Sequence, residues 1–210
     1  MSIKPILFNT EMVRAILEGR KGATRRSVKG YIPDDAVWGY TAFTPKGYIS
    51  CRGTFADGYG EKFFKLPCEP GDILYVRETW KKALNGYYYY EAWQRNDIAD
   101  VTKWKPSIRM PKEAARIWLK VTNVRVERLQ EITDEQAKRE GIQYDECPTG
   151  FTWKQETDMH NCYTTPIGAM QALWNSTIKK SDLDGYGWDA NPWVWTIEFE
   201  RCEKPEEISG

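Results

Sequence analysis

The chain has little of what builds metal sites and disulfide frameworks. It has one histidine, and its five cysteines, at 51, 68, 147, 162 and 202, include no pair at CxxC spacing. An odd number of widely spaced thiols speaks against both a disulfide framework and a zinc ribbon, so all are expected as free thiols. His160-Asn161-Cys162 with Cys147 upstream fits no zinc-ligand spacing, and neither metal nor cofactor is expected. No apolar run approaches the ~18 to 20 residues that span a bilayer. The start Met1-Ser2-Ile3-Lys4-Pro5 lacks the apolar stretch of a secretory signal. A membrane partner is therefore not expected, and a cytoplasmic location is. Net charge is also missing, with 30 basic residues against 30 acidic ones.

With 41% hydrophobic and 29% charged residues over 210 positions, the composition is that of one packed domain rather than a disordered or coiled-coil chain. The charges are unevenly spread. Residues 1–30 carry Lys4, Arg14, Arg20, Lys21, Arg25, Arg26 and Lys29 against Glu11 and Glu18. Residues 101–128 carry Lys103, Lys105, Arg109, Lys112, Arg116, Lys120, Arg125 and Arg128 against Glu113 and Glu127. The stretch 131–146 and the tail after Glu198 are acidic. Basic blocks mixed with Trp and Tyr suit a nucleic-acid surface, cations for phosphates and ring faces for bases. The same blocks also fit solvated strand and helix faces.

Met12, Val13, Ile16 and Leu17 fall on one face of a helix over about 11–18, capped by Asn9 or Thr10 and stopped by Gly19. The segment Arg20 to Arg26 after it reads as a basic loop. Short hairpins are expected over 30–66. The turn Pro70-Gly71-Asp72 feeds a strand at 73–77, and Tyr87 to Tyr90 suggest another. Lys103 to Pro111, framed by prolines, reads as a shaped loop. A long strand covers 117–127, with a slip of alternation near Asn123 that suggests a bulge. Thr133-Asp134-Glu135-Gln136 is a capping box opening a short helix that Gly141 ends. Thr165 and Pro166 open a helix over about 166–178, and Trp193, Trp195, Ile197 and Phe199 alternate along a final strand at 193–200.

The blocks Glu18 to Arg26, Pro70 to Arg77, Arg116 to Ile142 and Trp193 to Cys202, in that order, resemble the ASCH domain of the PUA-like superfamily. With VRETW at 76–80, KWKPSIRMP at 103–111 and NPWVW at 191–195, the chain looks like the longer ASCH/PUA-like proteins of bacteriophages and prophages. The resemblance implies an α/β (α+β) domain over 1–210, a small mixed PUA-like β-barrel with flanking helices. It places long insertions at about 30–66, 79–111 and 143–165. A phage-encoded protein would act in the host cytoplasm.

The GRKxxT loop and the glutamate ending the capped helix are similar to those of small bacterial acetylcytidine amidohydrolases. By that resemblance Lys21 is the proton acceptor, Thr24 the nucleophile and Glu140 the proton donor. Gly22-Ala23 departs from the bulkier residues of those enzymes. The chemistry is sound in itself, since a lysine with a lowered pKa can take the proton of a threonine hydroxyl. Arg20, Arg25 and Arg26 either lower that pKa or hold an anion. Trp104 with Lys105 and Arg109 is a base-stacking candidate. Arg77 and Glu78 either read a base edge or form ion pairs, and Asn191 either lines a pocket or makes a turn. The expected partner is a modified nucleoside or a single-stranded nucleic acid, with the exocyclic amine of an acylated cytidine as the reacting group. A non-catalytic RNA- or DNA-binding module and a phage assembly or host-interaction protein are the rival readings.

Overall fold

The computed structural model describes residues 1–58, 60–92, 103–144, 150–153 and 162–206. In chain order the regular elements are β1 (Ile3–Leu7), α1 (Thr10–Leu17), β2 (Ala23–Ser27), β3 (Val37–Gly39), β4 (Tyr48–Arg52), β5 (Glu61–Lys65), β6 (Ile73–Arg77), β7 (Trp80–Ala83) and β8 (Gly86–Tyr89). They continue as β9 (Trp118–Arg128), α2 (Asp134–Arg139), β10 (Gln143–Tyr144), β11 (Phe151–Thr152), α3 (Pro166–Thr177), α4 (Leu183–Tyr186) and β12 (Trp193–Cys202). The fold class is α+β, as the sequence predicts.

The main sheet has five strands in the order β1-β6-β9-β12-β2. β1 runs parallel to β6, and the other neighbours are antiparallel. The strands expected at 73–77, 117–127 and 193–200 form its middle. The register shift between Glu198 and Phe199 leaves Thr122 without a partner, beside the slip expected near Asn123. Strand β1 is an addition to the sequence reading. Its Pro5 is tolerated because β1 is an outer strand, where a missing N–H costs no ladder bond.

The basic loop expected over 20–26 is a correction: Arg20 to Gly22 form a turn, and Ala23–Ser27 pair with β12 as β2. The charged side chains hid this strand, because Arg25 is buried by ion pairing rather than by apolar character.

Strands β1 and β2 lie at opposite ends of the sheet order, so a flat sheet would hold them about 19 Å apart, four spacings of about 4.8 Å. Yet Arg26 Nη2 donates to the carbonyl of Leu7 at 2.8 Å. The sheet is therefore curled toward a barrel, and side chains close the seam between β1 and β2. Inside lie Ile6, Leu74, Val76, Leu119, Val121, Trp195, Ile197 and Phe199, with Val13 and Ile16 of α1 against them. Full burial of an aliphatic side chain contributes roughly 1.5 to 3 kcal/mol each, and it sets which face of each strand turns inward.

Asn9 caps α1 by accepting from the Met12 N–H at 2.9 Å. Thr133 and Gln136 close the capping box of α2 as expected, at 3.0 and 3.3 Å. Met170 and Trp174 of α3 pack with Leu129, Ile132 and Val194 in a second cluster beneath α2. Residues 30–66 hold the antiparallel sheet β3-β4-β5, whose Trp38 packs edge-on against Phe64 and Trp193.

The reading of all cysteines as free thiols also needs correction. Cys51, Cys68 and Cys202 are free, whereas Cys162 is disulfide-bonded, with its partner outside the described residues. Cys147 and His160 also lie outside them. Among the described residues no helix is long and apolar enough to cross a membrane.

Candidate functional site

The turn after α1 aims Lys21 inward. Gly19, at φ +75°, reverses the chain, and the Arg20 and Lys21 N–H groups both donate to the Ala15 carbonyl at 2.9 and 3.0 Å. Gly22 donates to the Arg139 carbonyl at 2.9 Å and accepts from the Phe199 N–H at 3.0 Å, which fastens the turn between α2 and β12. Across from it Gly141, at φ +104°, ends α2 with its Cα against α1, so an added Cβ would stand 3.0 Å from the Ala15 Cβ.

These two turns bring Lys21 and Glu140 together. Lys21 Nζ donates to Glu140 Oε2 and to the Glu140 carbonyl, both at 2.8 Å. The Lys21 side chain is 0% exposed and that of Glu140 is 3% exposed, so the contact is out of water. Burial lowers the pKa of Lys21 below its ordinary 10.5; Glu140 pulls the other way, and the charges of Arg26 and Arg25 add to the lowering.

Arg25 gives Nη1 to Glu140 Oε1 at 3.1 Å and Nη2 to Glu127 Oε1 at 2.6 Å and Gln136 Oε1 at 3.2 Å. Glu127 also accepts from the Thr196 hydroxyl at 2.8 Å and from Arg125 Nε at 2.8 Å. Burial pushes the Glu127 carboxyl up, but the Thr196 hydrogen bond and the Arg25 and Arg125 charges outweigh it and hold its pKa below normal. Arg125 and Arg139 both reach Glu198, extending the network along the face of β12 that carries Thr196. Glu127, Gln136, Thr196 and Glu198 escape sequence reasoning, because only the strand register places them beside Arg25.

Thr24 and Arg26 point to the face opposite Arg25, the inner one, opposite Ile197 and Trp195 respectively. Thr24 is buried. Ile197 and Arg26 border a cavity of about 410 Å³ at the seam, walled on the other side by Ile6 and Leu74. Its cations are Lys4, Arg26 and Arg77, and no carboxylate borders it among the described residues. Arg77 Nη1 and Nη2 donate to the Ile108 carbonyl and the Tyr75 hydroxyl, while Arg77 Nε is buried without an acceptor. Lys21 and Arg26 both lie over the Phe8 ring, at 5.5 and 5.4 Å from its centroid, so Phe8 links the ion pair to the cavity wall.

The other sequence-predicted residues are spread out. Arg20 binds Glu18 and the Gly141 carbonyl. Glu78 is buried and paired with Arg116 at 2.8 Å, not with Arg77. Burial raises the Glu78 pKa, against the hydrogen bond and charge of Arg116. Trp104 packs edge-on against Tyr90 at 5.3 Å, and Lys105 bridges to Trp80, with its Nζ 5.0 Å from that ring. Arg109 is exposed on a short helical turn next to Ile108, whose carbonyl accepts from Arg77, and it does not line the seam cavity. Asn191, at φ 44°, turns the chain into β12 and accepts from the Gln130 N–H at 2.8 Å. Among the described residues no three His, Cys, Asp or Glu side chains group to hold a metal.

No family model matches the chain, and no curated protein matches it. Among solved structures it is similar to the ASCH domain from Lactobacillus crispatus JV V101, at 12% identity over 95% of this chain and 79% of that one, with a TM-score of 0.42.

Proposed function

We propose that the protein recognises a nucleoside or nucleotide unit in the seam cavity between β1 and β2. The observation that carries this reading is the cavity itself, bordered by the guanidinium side chains of Arg26 and Arg77, by Lys4, which Asp72 holds at 3.0 Å, and by no described carboxylate. A cavity of about 410 Å³ lies within the range of roughly 300 to 1,000 Å³ typical of small-ligand sites. Its apolar walls suit a base, and its arginines suit phosphate or carbonyl oxygens. Calorimetric titration with cytidine, acetylcytidine and cytidine monophosphate tests it. Binding that Arg77→Ala or Arg26→Ala weakens supports the reading, and no binding by any of the three ends it.

A second, sharper reading is favoured by the buried Lys21–Glu140 pair: removal of the acyl group from the exocyclic amine of a modified cytidine. Moving one proton across the 2.8 Å contact turns ammonium and carboxylate into a free amine and a carboxylic acid. Lys21 then takes the Thr24 proton as Thr24 Oγ1 attacks the acyl carbon. The C–N bond breaks, and the leaving amine takes the proton of Glu140. In the second half, water gives a proton to Glu140 and attacks the threonyl ester. Thr24 recovers its proton from Lys21, and the acid is released. Mass analysis of acetylcytidine incubated with the protein tests this. Thr24→Ala should abolish turnover, and Glu140→Gln should cut it roughly 100- to 10,000-fold. An unchanged substrate leaves the binding module as the function.

A further inference from the structure

The β7–β8 hairpin and the segment that returns beside it carry positive charge that no described carboxylate neutralises. Thr79 to Tyr90 and Lys103 to Lys112 hold six basic residues, Lys81, Lys82, Lys103, Lys105, Arg109 and Lys112, and no acidic one. None of the six forms an ion pair among the described residues. The carboxylates that flank the hairpin, Glu78 and Glu91, are buried and both held by Arg116. Even with Glu91, Asp97, Asp100 and Glu113 counted, the sequence from 79 to 113 has seven basic residues against four acidic. Like charges gathered without partners repel one another, and an anion laid among them relieves that repulsion.

β7 has a neighbour on each side. It pairs with β8, and Trp80 bridges to Lys105 through both backbone bonds, at 2.8 and 3.2 Å. Side chains therefore alternate between two faces. The inner face carries Trp80, Tyr87 and Tyr89, which pack with Met110 and Trp118. The outer face carries Lys81 with Tyr88 opposite it and Tyr90 next along β8, and Trp104 meets Tyr90 edge-on at 5.3 Å. All four of these outer side chains keep exposed surface, and Lys103, Lys105 and Arg109 are exposed along the returning segment. That segment ends against the seam cavity: the Ile108 carbonyl, beside Arg109, accepts from Arg77 Nη1 at 3.3 Å, and Arg77 borders the cavity.

We propose that a single-stranded nucleic acid lies along this surface, its phosphates beside Lys81, Lys103, Lys105 and Arg109 and a base against Tyr88, while one of its nucleotides occupies the seam cavity. Unpaired cations gain most from a polyanion, whose counterions they release, and ring faces accept any base. An acidic peptide would satisfy the cations and leave the rings unused. The proposal rests on the cavity reading for its class of ligand and extends it from one nucleotide to the strand that carries it.

Fluorescence anisotropy with labelled oligouridylate and oligothymidylate tests the proposal, with unlabelled polyglutamate as competitor. Lys103→Gln, Lys105→Gln and Arg109→Gln combined should lower the slope of log affinity against log salt by about 2, at roughly 0.7 for each phosphate contact. Lys46→Gln, Arg52→Gln and Lys65→Gln combined remove the same charge from exposed positions on and beside the β3-β4-β5 sheet, and should leave the slope alone. Tyr88→Ala should weaken binding roughly 5- to 150-fold at unchanged slope, the usual worth of one stacked base, and Tyr88→Phe should bind like wild type. Equal slopes for the two triple variants, wild-type affinity in Tyr88→Ala, equal competition by polyglutamate, or no oligonucleotide binding overturns the surface. Titration with cytidine monophosphate judges the cavity separately, because none of the substituted residues lines it. Oligonucleotide binding that the first triple variant weakens, without mononucleotide binding, keeps the surface and removes the cavity. Mononucleotide binding with oligonucleotide binding indifferent to that variant does the reverse.

Discussion

Lys21 and Glu140, 119 positions apart, meet through two contacts: Lys21 Nζ holds both the carboxylate and the main-chain carbonyl of Glu140 at 2.8 Å. The backbone contact fixes the lysine even when the carboxylate moves. The carboxylate in turn is shared with Arg25 at 3.1 Å. One buried anion is therefore shared by a lysine from a turn and an arginine from a strand, and Glu127, 2.6 Å from Arg25, supplies the second negative charge.

Removing that anion should be costly. Glu140→Gln leaves Lys21 buried without its carboxylate, and the expected loss in urea unfolding is about 3 to 5 kcal/mol, the usual cost of breaking a buried pair. Adding Lys21→Met should restore part of it by removing the orphan charge. If the double variant is as unstable as the sum of the singles, the two residues are not coupled.

The alkaline limb of stability should carry the signature of Lys21. Its folded pKa lies below the ordinary 10.5, chiefly through burial. Between the two values the unfolded chain binds more protons than the folded one, so stability contributed at this site rises with pH. Below the folded pKa the penalty for burying the ammonium is complete. Urea titrations through that window should show wild type gaining on Lys21→Met as pH increases, and a constant gap would rule out a depressed lysine.

Arg116 bridges two buried carboxylates, with contacts of 2.8 Å to Glu78 and 3.1 Å to Glu91. Arg116→Met should cost about 3 to 5 kcal/mol at neutral pH. Burial already raises the Glu78 pKa, and loss of Arg116 raises it further. A carboxyl whose folded pKa is raised binds more protons folded than unfolded, so the variant should recover stability as the solution is acidified. Thermal melts across mildly acidic pH test this, and a deficit that deepens on acidification would refute it.

At Gly141 the backbone is left-handed, at φ +104°, and a methyl group would press on the Ala15 Cβ. Gly141→Ala should lose about 1 to 3 kcal/mol, the cost of one such strained residue. Ala15→Gly on the same background should return little, because it relieves the contact but not the backbone. Full rescue in the melting curve would show that crowding alone made glycine necessary.

What was legible in the sequence follows from what each element uses to hold itself. α1, α2 and α3 announce themselves by caps, and β9 and β12 by apolar alternation, so their existence and even the bulge near Asn123 could be read. β2 could not, because Arg25 is buried, on the face away from the barrel interior, by carboxylates of β9 and of the residue that ends α2, which no local pattern reveals. β1 was hidden by Pro5, which usually argues against a strand. Motif resemblance pointed to Lys21 and Glu140, and the fold brings them into contact. Glu127 gave no signal and Gln136 only that of a helix cap, since strand register sets their place beside Arg25. The bond at Cys162 was unreadable because spacing does not determine pairing.

The place of β12 between β9 and β2 has a consequence for biosynthesis. β2 emerges early from the ribosome and β9 about a hundred residues later, yet β2 has no strand beside it, and β9 only β6, until Trp193–Cys202 is made. Until then β9 stays the unfinished edge of the β1-β6-β9 sheet. A nascent chain interrupted after α3 is thus a half-sheet with an open hydrogen-bonding margin, the kind of species that chaperones hold or that sticks to its own kind. Among the described strands, the latest to be synthesised is the one that joins β2 to the rest of the sheet.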